Sequence, residues 1–480
     1  MFVPKLVTER FISMDQIELI SLPNGIRVVL EPMPYVKTAA FGVFVGVGSV
    51  CETKENNGIS HMIEHMLFKG TETKSAKELA DITARLGDTT NAYTGKEYTA
   101  YYGVTVAEEL FKLMEVLADM LLYSVFDRKA LSKEKGVICE EIDMYNNSPD
   151  DLVHELAQKR AWQGHPLSFQ ISGTKGVVRG MTREKILTFY KREYRPERTV
   201  LSVAGDFDKK RVVEYLRSLF CPGGQGVAAS VKKEGLAPDE RYGRRYGETA
   251  YKTNQKEGQQ SDGQRKLLEN VLVQERPAAE YTRNFSKSYQ DTSQLHMNLV
   301  FPGISYLDEK RHIATVFQSV FGGSNNSLLF QKIREEEGLA YAVYSYGCPY
   351  AKEGLVHIDA VTAPNQAETV FDFALEVCDT MREKTVSEET LATHKALIRT
   401  EAILSKESVQ SRMEGNGRSV LLRGRVVSQE EELKRIEAVT AEDIREFARQ
   451  VLCPEKMSVC LVGETRSAGQ KLMRKYDQLG

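Results

Sequence analysis

The chain has 480 residues, of which 41% are apolar and 27% are charged, and its net charge is −3. At roughly 150 residues per domain this composition indicates two to four globular domains, and it excludes a disordered chain, a collagen and a disulfide-stapled miniprotein. A near-neutral charge offers no basic surface for a polyanion, so we expect no nucleic-acid partner.

The first part of the chain mixes predicted strands and helices. The apolar pattern predicts strands at 25–31, 39–49, 99–106 and 199–207. It predicts helices at 59–68, 75–86, 107–123 and 129–145.

We expect a protein that stays in the cytoplasm and does not insert into a membrane. The longest apolar run, 38–50, is too short and too rich in glycine to span a bilayer. Lys5, Glu9 and Arg10 interrupt the apolar segment that a signal peptide needs. The seven cysteines form no CxxC pair, which favours free thiols in a reducing compartment.

Residues 222–273 differ from the rest of the chain. They are rich in Gly, Gln and mixed charge and have few aliphatic side chains before Leu267. Such a stretch cannot bury enough apolar surface to offset its chain entropy, so we predict a flexible polar linker or insertion. It separates an N-terminal half, 1–221, from a C-terminal half, 274–480.

The C-terminal half again mixes the two kinds of element. Its strands are predicted at 294–301, 340–346, 355–363 and 457–462, and its helices at 312–321, 328–335, 367–383 and 388–404. Strands come in adjacent pairs and helices in runs, which favours an α+β class with antiparallel-rich sheets over a doubly wound parallel sheet.

The two halves resemble each other in one segment. Residues 181–206 align with 439–464 at a constant offset of 258, with seven identities that include Thr182/Thr440, Pro196/Pro454 and Gly205/Gly463. Both segments read as a Thr-capped helix, a break at proline and an apolar strand that ends at glycine. We therefore predict two related halves.

The sharpest motif is HMIEH, from His61 to His65. On a helix that begins at His61 and is capped by Ser60, positions i and i+4 share a face, so both imidazoles can reach one metal ion. Two imidazoles suit zinc, and Glu64 on the same side can take a proton from water. The alternative is a histidine pair on an ordinary amphipathic helix.

A zinc site that acts on water needs a third protein ligand. Glu134 and Glu141 are seven residues apart on a predicted helix and share a face, whereas Glu140 points about 100° away. Glu141 lies among apolar residues and therefore needs a partner. The spacing alone fits a zinc ion and a salt bridge equally well.

These motifs resemble those of the insulinase or pitrilysin (M16) zinc metallopeptidases. In that family HxxEH is followed 76 residues later by a glutamate ligand, and His65 plus 76 is Glu141. The resemblance implies that His61, His65 and Glu141 bind one zinc ion per chain, that Glu64 is the general base and that Glu134 orients a ligand. It points to a bacterial member similar to the mitochondrial processing peptidases.

Two further segments are similar to the family. Asn91 and Ala92 begin a segment that resembles the edge strand on which these enzymes pair a substrate peptide. In the C-terminal half, 330–341 resembles the signature RExxGLAY. The resemblance implies that Arg334 and Tyr341 reach the zinc site and hold the substrate carbonyl and its developing negative charge.

The resemblance implies a zinc endopeptidase whose halves form a clamshell around a cavity that admits peptides or unfolded polypeptide segments. The C-terminal half has no HxxEH and would contribute substrate-binding residues only. The alternatives are a non-catalytic structural or partner subunit of the same fold, and a subunit that needs a partner chain. The sequence leaves the oligomeric state open, a homodimer included.

Overall fold

A computed structural model describes residues 17–221 and 278–479. The predicted linker, 222–273, lies outside these residues, as do residues 1–16. The described part contains two β-sheets, each associated with helices, so the predicted α+β class is confirmed. No helix within the described ranges is long and apolar enough to cross a membrane.

The first sheet has six strands in the spatial order β1-β2-β6-β3-β5-β4. Only β2 and β6 are parallel; the other neighbours are antiparallel. The strands are β1 (Glu18–Ser21), β2 (Arg27–Pro32), β3 (Thr38–Val45), β4 (Asn91–Thr94), β5 (Thr99–Val106) and β6 (Thr199–Gly205).

Eight helices accompany the first sheet in the described residues. They are α1 (Ile59–Leu67), α2 (Ala76–Arg85), α3 (Leu110–Tyr123), α4 (Arg128–Asn147), α5 (Pro149–Ala161), α6 (Lys175–Arg179), α7 (Arg183–Glu193) and α8 (Lys209–Phe220). The buried core between sheet and helices is formed mainly by β3, α1 and α3.

The second sheet has five strands in the order β7-β11-β8-β10-β9, and only β7 and β11 are parallel. The strands are β7 (Phe285–Tyr289), β8 (Leu295–Gly303), β9 (Ala340–Pro349), β10 (Gly354–Thr362) and β11 (Ser458–Gly463). The helices are α9 (Arg311–Phe321), a π-helix (Phe330–Glu336), α10 (Ala367–Glu383), α11 (Glu388–Ser405), α12 (Val409–Arg423), α13 (Gln429–Glu437), α14 (Ala441–Val451) and α15 (Ala468–Asp477).

The two sheets repeat one topology. The order β2-β6-β3-β5-β4 corresponds to β7-β11-β8-β10-β9, with the parallel pair in the same place. The segment that aligns in sequence also folds alike: Thr182 and Thr440 cap α7 and α14, and 3-10 turns begin at Pro196 and Pro454. The prediction of two related halves is therefore confirmed.

Each repeated segment ends at a glycine, and the same physical reason explains that glycine in both halves. Gly205 and Gly463 end β6 and β11 with φ of 128° and 115°, a region that side chains rarely adopt. A Cβ atom would also lie 2.4 Å from the Thr38 carbonyl oxygen in one half and 2.3 Å from that of Gln294 in the other.

Each half contributes one helix that packs on the sheet of the other half, and the sequence did not reveal this exchange. Helix α5 of the N-terminal half packs on β8 and β11 of the second sheet, and its apolar residues form a common cluster with them. Helix α12 of the C-terminal half packs on β3 and β6 of the first sheet. At the offset of 258, α5 corresponds to 407–419, which covers most of α12, so the exchange is reciprocal.

Candidate metal centre

Helix α1 carries the HMIEH motif and begins differently from the prediction. It starts at Ile59, and its N-cap is Gly58, with φ of 92°, rather than Ser60. The buried Glu52 carboxylate takes the capping role: it accepts hydrogen bonds from the backbone N–H groups of Gly58 (2.7 Å) and Ser60 (2.9 Å). A carboxylate at this end also complements the helix dipole.

Three donor atoms converge where α1 meets α4. The Nε2 atoms of His61 and His65 are 3.2 Å apart, and each lies 3.7 Å from Oε2 of Glu141. Within 17–221 and 278–479, this is the only group of three His, Cys, Asp or Glu side chains with donor atoms this close together.

The arrangement fits a zinc ion. With zinc–ligand bonds of about 2.0–2.1 Å, two ligands of a tetrahedral site lie roughly 3.3 Å apart, close to the separations found here. Burial, together with His65, lowers the pKa of His61 to about 3, so its ring is neutral and can act as a ligand. Three protein donors leave a fourth position of a tetrahedron for water or substrate.

A carboxylate orients the His65 ring, and a lysine forms an ion pair with that carboxylate. Glu134 accepts a hydrogen bond from Nδ1 of His65 at 3.1 Å, and Lys69 forms an ion pair with the same carboxylate at 2.9 Å. Burial opposes ionisation of Glu134, but its bonds to Lys69 and His65 outweigh this, and its pKa is lowered. The proton on Nδ1 directs the lone pair of Nε2 towards the other donors.

Glu64 lies beside this group, as the helical spacing predicted. One of its carboxylate oxygens accepts a hydrogen bond from the Thr94 hydroxyl at 2.5 Å. Burial raises the pKa of Glu64, although the bond from Thr94 opposes the shift. A carboxylate with a raised pKa accepts and returns protons more readily near neutral pH.

The donor group opens into a cavity of about 400 Å³. Its lining combines His61, Glu64 and Glu141 with residues of β4 and of α5, namely Ala92, Tyr93, Thr94, Asp151, His154, Glu155 and Gln158. Strand β4 is the last strand of its sheet, and its outer edge pairs with no strand from the described part of the chain. Asn91 is exposed at the start of β4, and Ala92 lies on the cavity wall.

Arg334 and Tyr341 are placed elsewhere. Neither lines the cavity. Arg334 lies on the π-helix with its guanidinium 4.8 Å from the centre of the Phe330 ring, and Tyr341, on the outer strand β9, is 77% exposed. The structure therefore brings together the residues of the N-terminal half and leaves these two at the surface.

Sequence reasoning missed several residues of the site. Lys69 follows His65 by four residues, so helical spacing could have indicated it. The cavity residues of α5, His154 among them, had no such signal, because their position depends on how α5 crosses to the other half.

Family models match two adjacent stretches of the chain. Residues 27–175 match the model described as "Insulinase (Peptidase family M16)", and residues 180–398 match the model described as "Peptidase M16 inactive domain". The first stretch contains the whole donor group, and the second begins before the predicted linker.

Curated relatives match over nearly the full chain. One is "Uncharacterized zinc protease YmxG" of Bacillus subtilis, 34% identical over 89% of this chain and 94% of the relative. Another is "Uncharacterized zinc protease SCO5738" of Streptomyces coelicolor, 32% identical over 90% of this chain and 86% of the relative.

Solved structures show the same fold at low identity. A protease from Helicobacter pylori superposes with a TM-score of 0.78 at 18% identity, over 94% of this chain and all of the other. A peptidase M16 inactive domain from Pseudomonas fluorescens superposes with a TM-score of 0.75, also at 18% identity, over 94% and 99%. With the relatives and the two matched family models, this shows that the chain belongs to peptidase family M16.

Proposed function

We propose that this protein is a zinc-dependent endopeptidase that hydrolyses peptides or unfolded polypeptide segments. The observation that carries the proposal is the convergence of His61, His65 and Glu141 next to Glu64, on the wall of a cavity that an unpaired strand edge also lines. Zinc would supply Lewis-acid activation of water and of the scissile carbonyl.

Glu64 is the general base in this proposal. The Thr94 hydroxyl occupies one carboxylate oxygen and leaves the other for the proton of the attacking water. The same carboxyl group then returns the proton to the leaving amine. Glu134, held by Lys69, keeps the His65 ring in the orientation that ligation requires.

We further propose that the substrate binds as an extended strand along β4. Main-chain pairing at Asn91 and Ala92 would give affinity with little demand on sequence. A cavity of about 400 Å³ admits a few residues of extended chain but no folded domain. Enclosure of that cavity by the two halves stays part of the proposal.

Arg334 and Tyr341 would act on the bound substrate, as the family resemblance implies. A guanidinium and a phenol can both donate to a carbonyl whose oxygen gains charge. Because both side chains are exposed, they would have to approach the cavity when substrate binds. Arg334→Ala and Tyr341→Phe should each lower kcat more than they raise KM.

The test is cleavage of a mixture of unstructured peptides, followed by mass spectrometry. Cleavage should be lost with a zinc chelator and in Glu64→Gln, and it should return when zinc is added back to the chelated protein. Cleavage that neither treatment affects would contradict the zinc assignment. A zinc-loaded, monodisperse preparation that cleaves nothing would favour the non-catalytic subunit of the same fold.

We also propose that the enzyme acts in the bacterial cytoplasm on polypeptide, without nucleic-acid or membrane partners. The net charge of −3 supports the absence of a polyanion partner. Whether it forms a homodimer is a question for size-exclusion chromatography with light scattering.

A further inference from the structure

Two side chains of α5 line the same cavity as the metal ligands. His154 and Gln158 both line it, and they are four residues apart on one helix. Positions i and i+4 share a helix face and are displaced by about 6 Å along the axis. Neither residue belongs to the donor group around His61.

Two tyrosines of the C-terminal half each form a hydrogen bond with one of these side chains. The Tyr346 hydroxyl lies 2.7 Å from Nδ1 of His154, and the Tyr350 hydroxyl donates to Oε1 of Gln158 at 3.0 Å. The amide nitrogen of Asn298, also a donor, lies 3.3 Å from the same Nδ1. The Asn298 amide group can only donate, whereas a hydroxyl can donate or accept, so we assign Nδ1 as the acceptor of the ring; Oδ1 of Asp359 lies further away, at 3.7 Å.

The remaining atoms of both side chains are hydrogen-bond donors. With Nδ1 as acceptor, a neutral His154 carries its proton on Nε2, and burial lowers the pKa of this histidine, which favours the neutral ring. Gln158 retains its amide NH₂ group. Neither nitrogen has a hydrogen-bond partner in residues 17–221 and 278–479.

The opposite edge of an extended peptide needs such donors. A peptide paired with β4 uses one backbone edge for that pairing and leaves its other edge free in the cavity that α5 also lines. Carbonyl groups on one edge of a strand recur every second residue, about 6.6–6.8 Å apart. This repeat is close to the 6 Å between His154 and Gln158 along α5.

We propose that His154 and Gln158 donate hydrogen bonds to two carbonyl oxygens, two residues apart, on the free edge of the bound peptide. The inference rests on the proposed function, because it takes an extended peptide on β4 as its ligand. It assigns both residues to substrate binding, and it makes Tyr346 and Tyr350 positioning residues that act through them.

The experiment measures binding without cleavage. Zinc-loaded Glu64→Gln protein is titrated with a fluorescent peptide in which one amide at a time is replaced by a trans-alkene. Two replacements, two residues apart, should weaken binding about fivefold each, which is the effect of one neutral hydrogen bond. An alkene replaces the N–H group as well as the carbonyl group of the amide. Double-mutant cycles that combine each alkene peptide with each protein variant therefore identify the carbonyl groups that His154 and Gln158 bind.

The variants are chosen as near-isosteres. His154→Gln keeps an N–H donor near the place of Nε2, and His154→Leu removes it. Gln158→Glu keeps the acceptor for Tyr350 and replaces the NH₂ group with an acceptor, and Gln158→Met controls for the added charge. In His154→Leu, the alkene replacement at one of the two positions should no longer weaken peptide binding, and His154→Gln should restore the weakening. In either Gln158 variant, the replacement at the other position should no longer weaken binding.

A readout independent of affinity comes from ¹⁵N-histidine NMR. The His154 resonance, assigned by its loss in His154→Leu, should show a proton on Nε2 and should shift when peptide binds. Alkene effects that do not change in the variants, or a proton on Nδ1, would overturn the inference. A correct alkene pattern, together with a zinc-loaded wild-type protein that cleaves no peptide, would instead contradict the proposed catalytic function alone.

Discussion

Helix α5 of the N-terminal half covers the second sheet, and helix α12 of the C-terminal half covers the first. The two helices occupy equivalent places, yet the surfaces beneath them differ. Under α12 lies an apolar cluster that includes Met413 and Phe44, and the buried carboxylate of Glu31 beside it is bound by both Arg412 and Asn416. Under α5 lie Asn298, His357 and Asp359, which are buried polar groups.

The polar groups under α5 are only partly satisfied. Asn298 bonds to Asp359 at 2.7 Å and to His357 at 3.0 Å, but Nε2 of His357 and Oδ2 of Asp359 have no hydrogen-bond partner among the described residues. Such groups cost stability, and they lie directly behind the cavity residue His154. One of two equivalent contacts therefore stabilises the fold, whereas the other supports the cavity wall that we propose to bind substrate.

Glu64→Gln should separate catalysis from stability most strongly. We expect kcat to fall about 10³-fold, since a general base contributes roughly 10²–10⁴. The melting temperature should hardly change, because the glutamine oxygen can still accept the bond from Thr94. A variant that retained more than a tenth of wild-type kcat would refute the role of Glu64.

The opposite behaviour is expected beneath α12. Glu31→Ala leaves Arg412 and Asn416 without their buried partner and should cost about 3 kcal/mol in the free energy of unfolding, measured in urea. Activity per folded molecule should stay at the wild-type level. The control is Glu18→Ala, which removes an exposed pair with Lys209 and should cost less than about 1 kcal/mol.

Close packing under α12 can be tested at a glycine. A Cβ atom on Gly417 would lie 2.2 Å from Cε2 of Phe44, so Gly417→Val should destabilise by about 2–3 kcal/mol. Gly415, on the same helix, has nothing within 4 Å of its Cβ position, and Gly415→Ala should stabilise by about 0.5–1 kcal/mol. Equal effects of the two substitutions would show that α12 does not press on the sheet.

On the cavity side, the negative charge that Glu134 presents to His65 and Lys69 can be removed without loss of a ligand. Glu134→Gln should weaken zinc affinity roughly 10–100-fold, as measured by competition with a chelating dye. The matched control is Glu140→Gln, an exposed neighbour on α4 that contacts no ligand, which should leave the affinity unchanged. An unchanged affinity in Glu134→Gln would remove Glu134 from the site.

The two helices also show which features the sequence can predict. Helical periodicity predicts which residues share a face of α1 and of α4. It therefore placed His61 and His65 on one face of α1, and Glu134 and Glu141 on one face of α4. The cap of α1 was not foreseen, because Glu52 reaches it across the loop that precedes the helix rather than from the adjacent N-cap position. The exchange of α5 and α12 is likewise a result of packing between distant segments, to which local pattern does not respond.

A last difference between the two contacts is the pH dependence of stability that Asp359 imposes under α5. Burial raises the pKa of this carboxyl to about 8, against about 3.9 in an unfolded chain. Between about pH 4 and pH 8 the folded protein therefore holds a proton that the unfolded chain has released, and stability falls as pH rises.

Asp359→Asn removes this titration while it keeps an oxygen for Asn298. The variant should gain stability over wild type across the same pH range, and the gain should be smallest near pH 4. Urea unfolding at four pH values measures it, with the exposed Asp81→Asn as control. A gain that did not grow with pH would mean that Asp359 is ionised in the folded protein, and the contact under α5 would then resemble the paired carboxylate under α12.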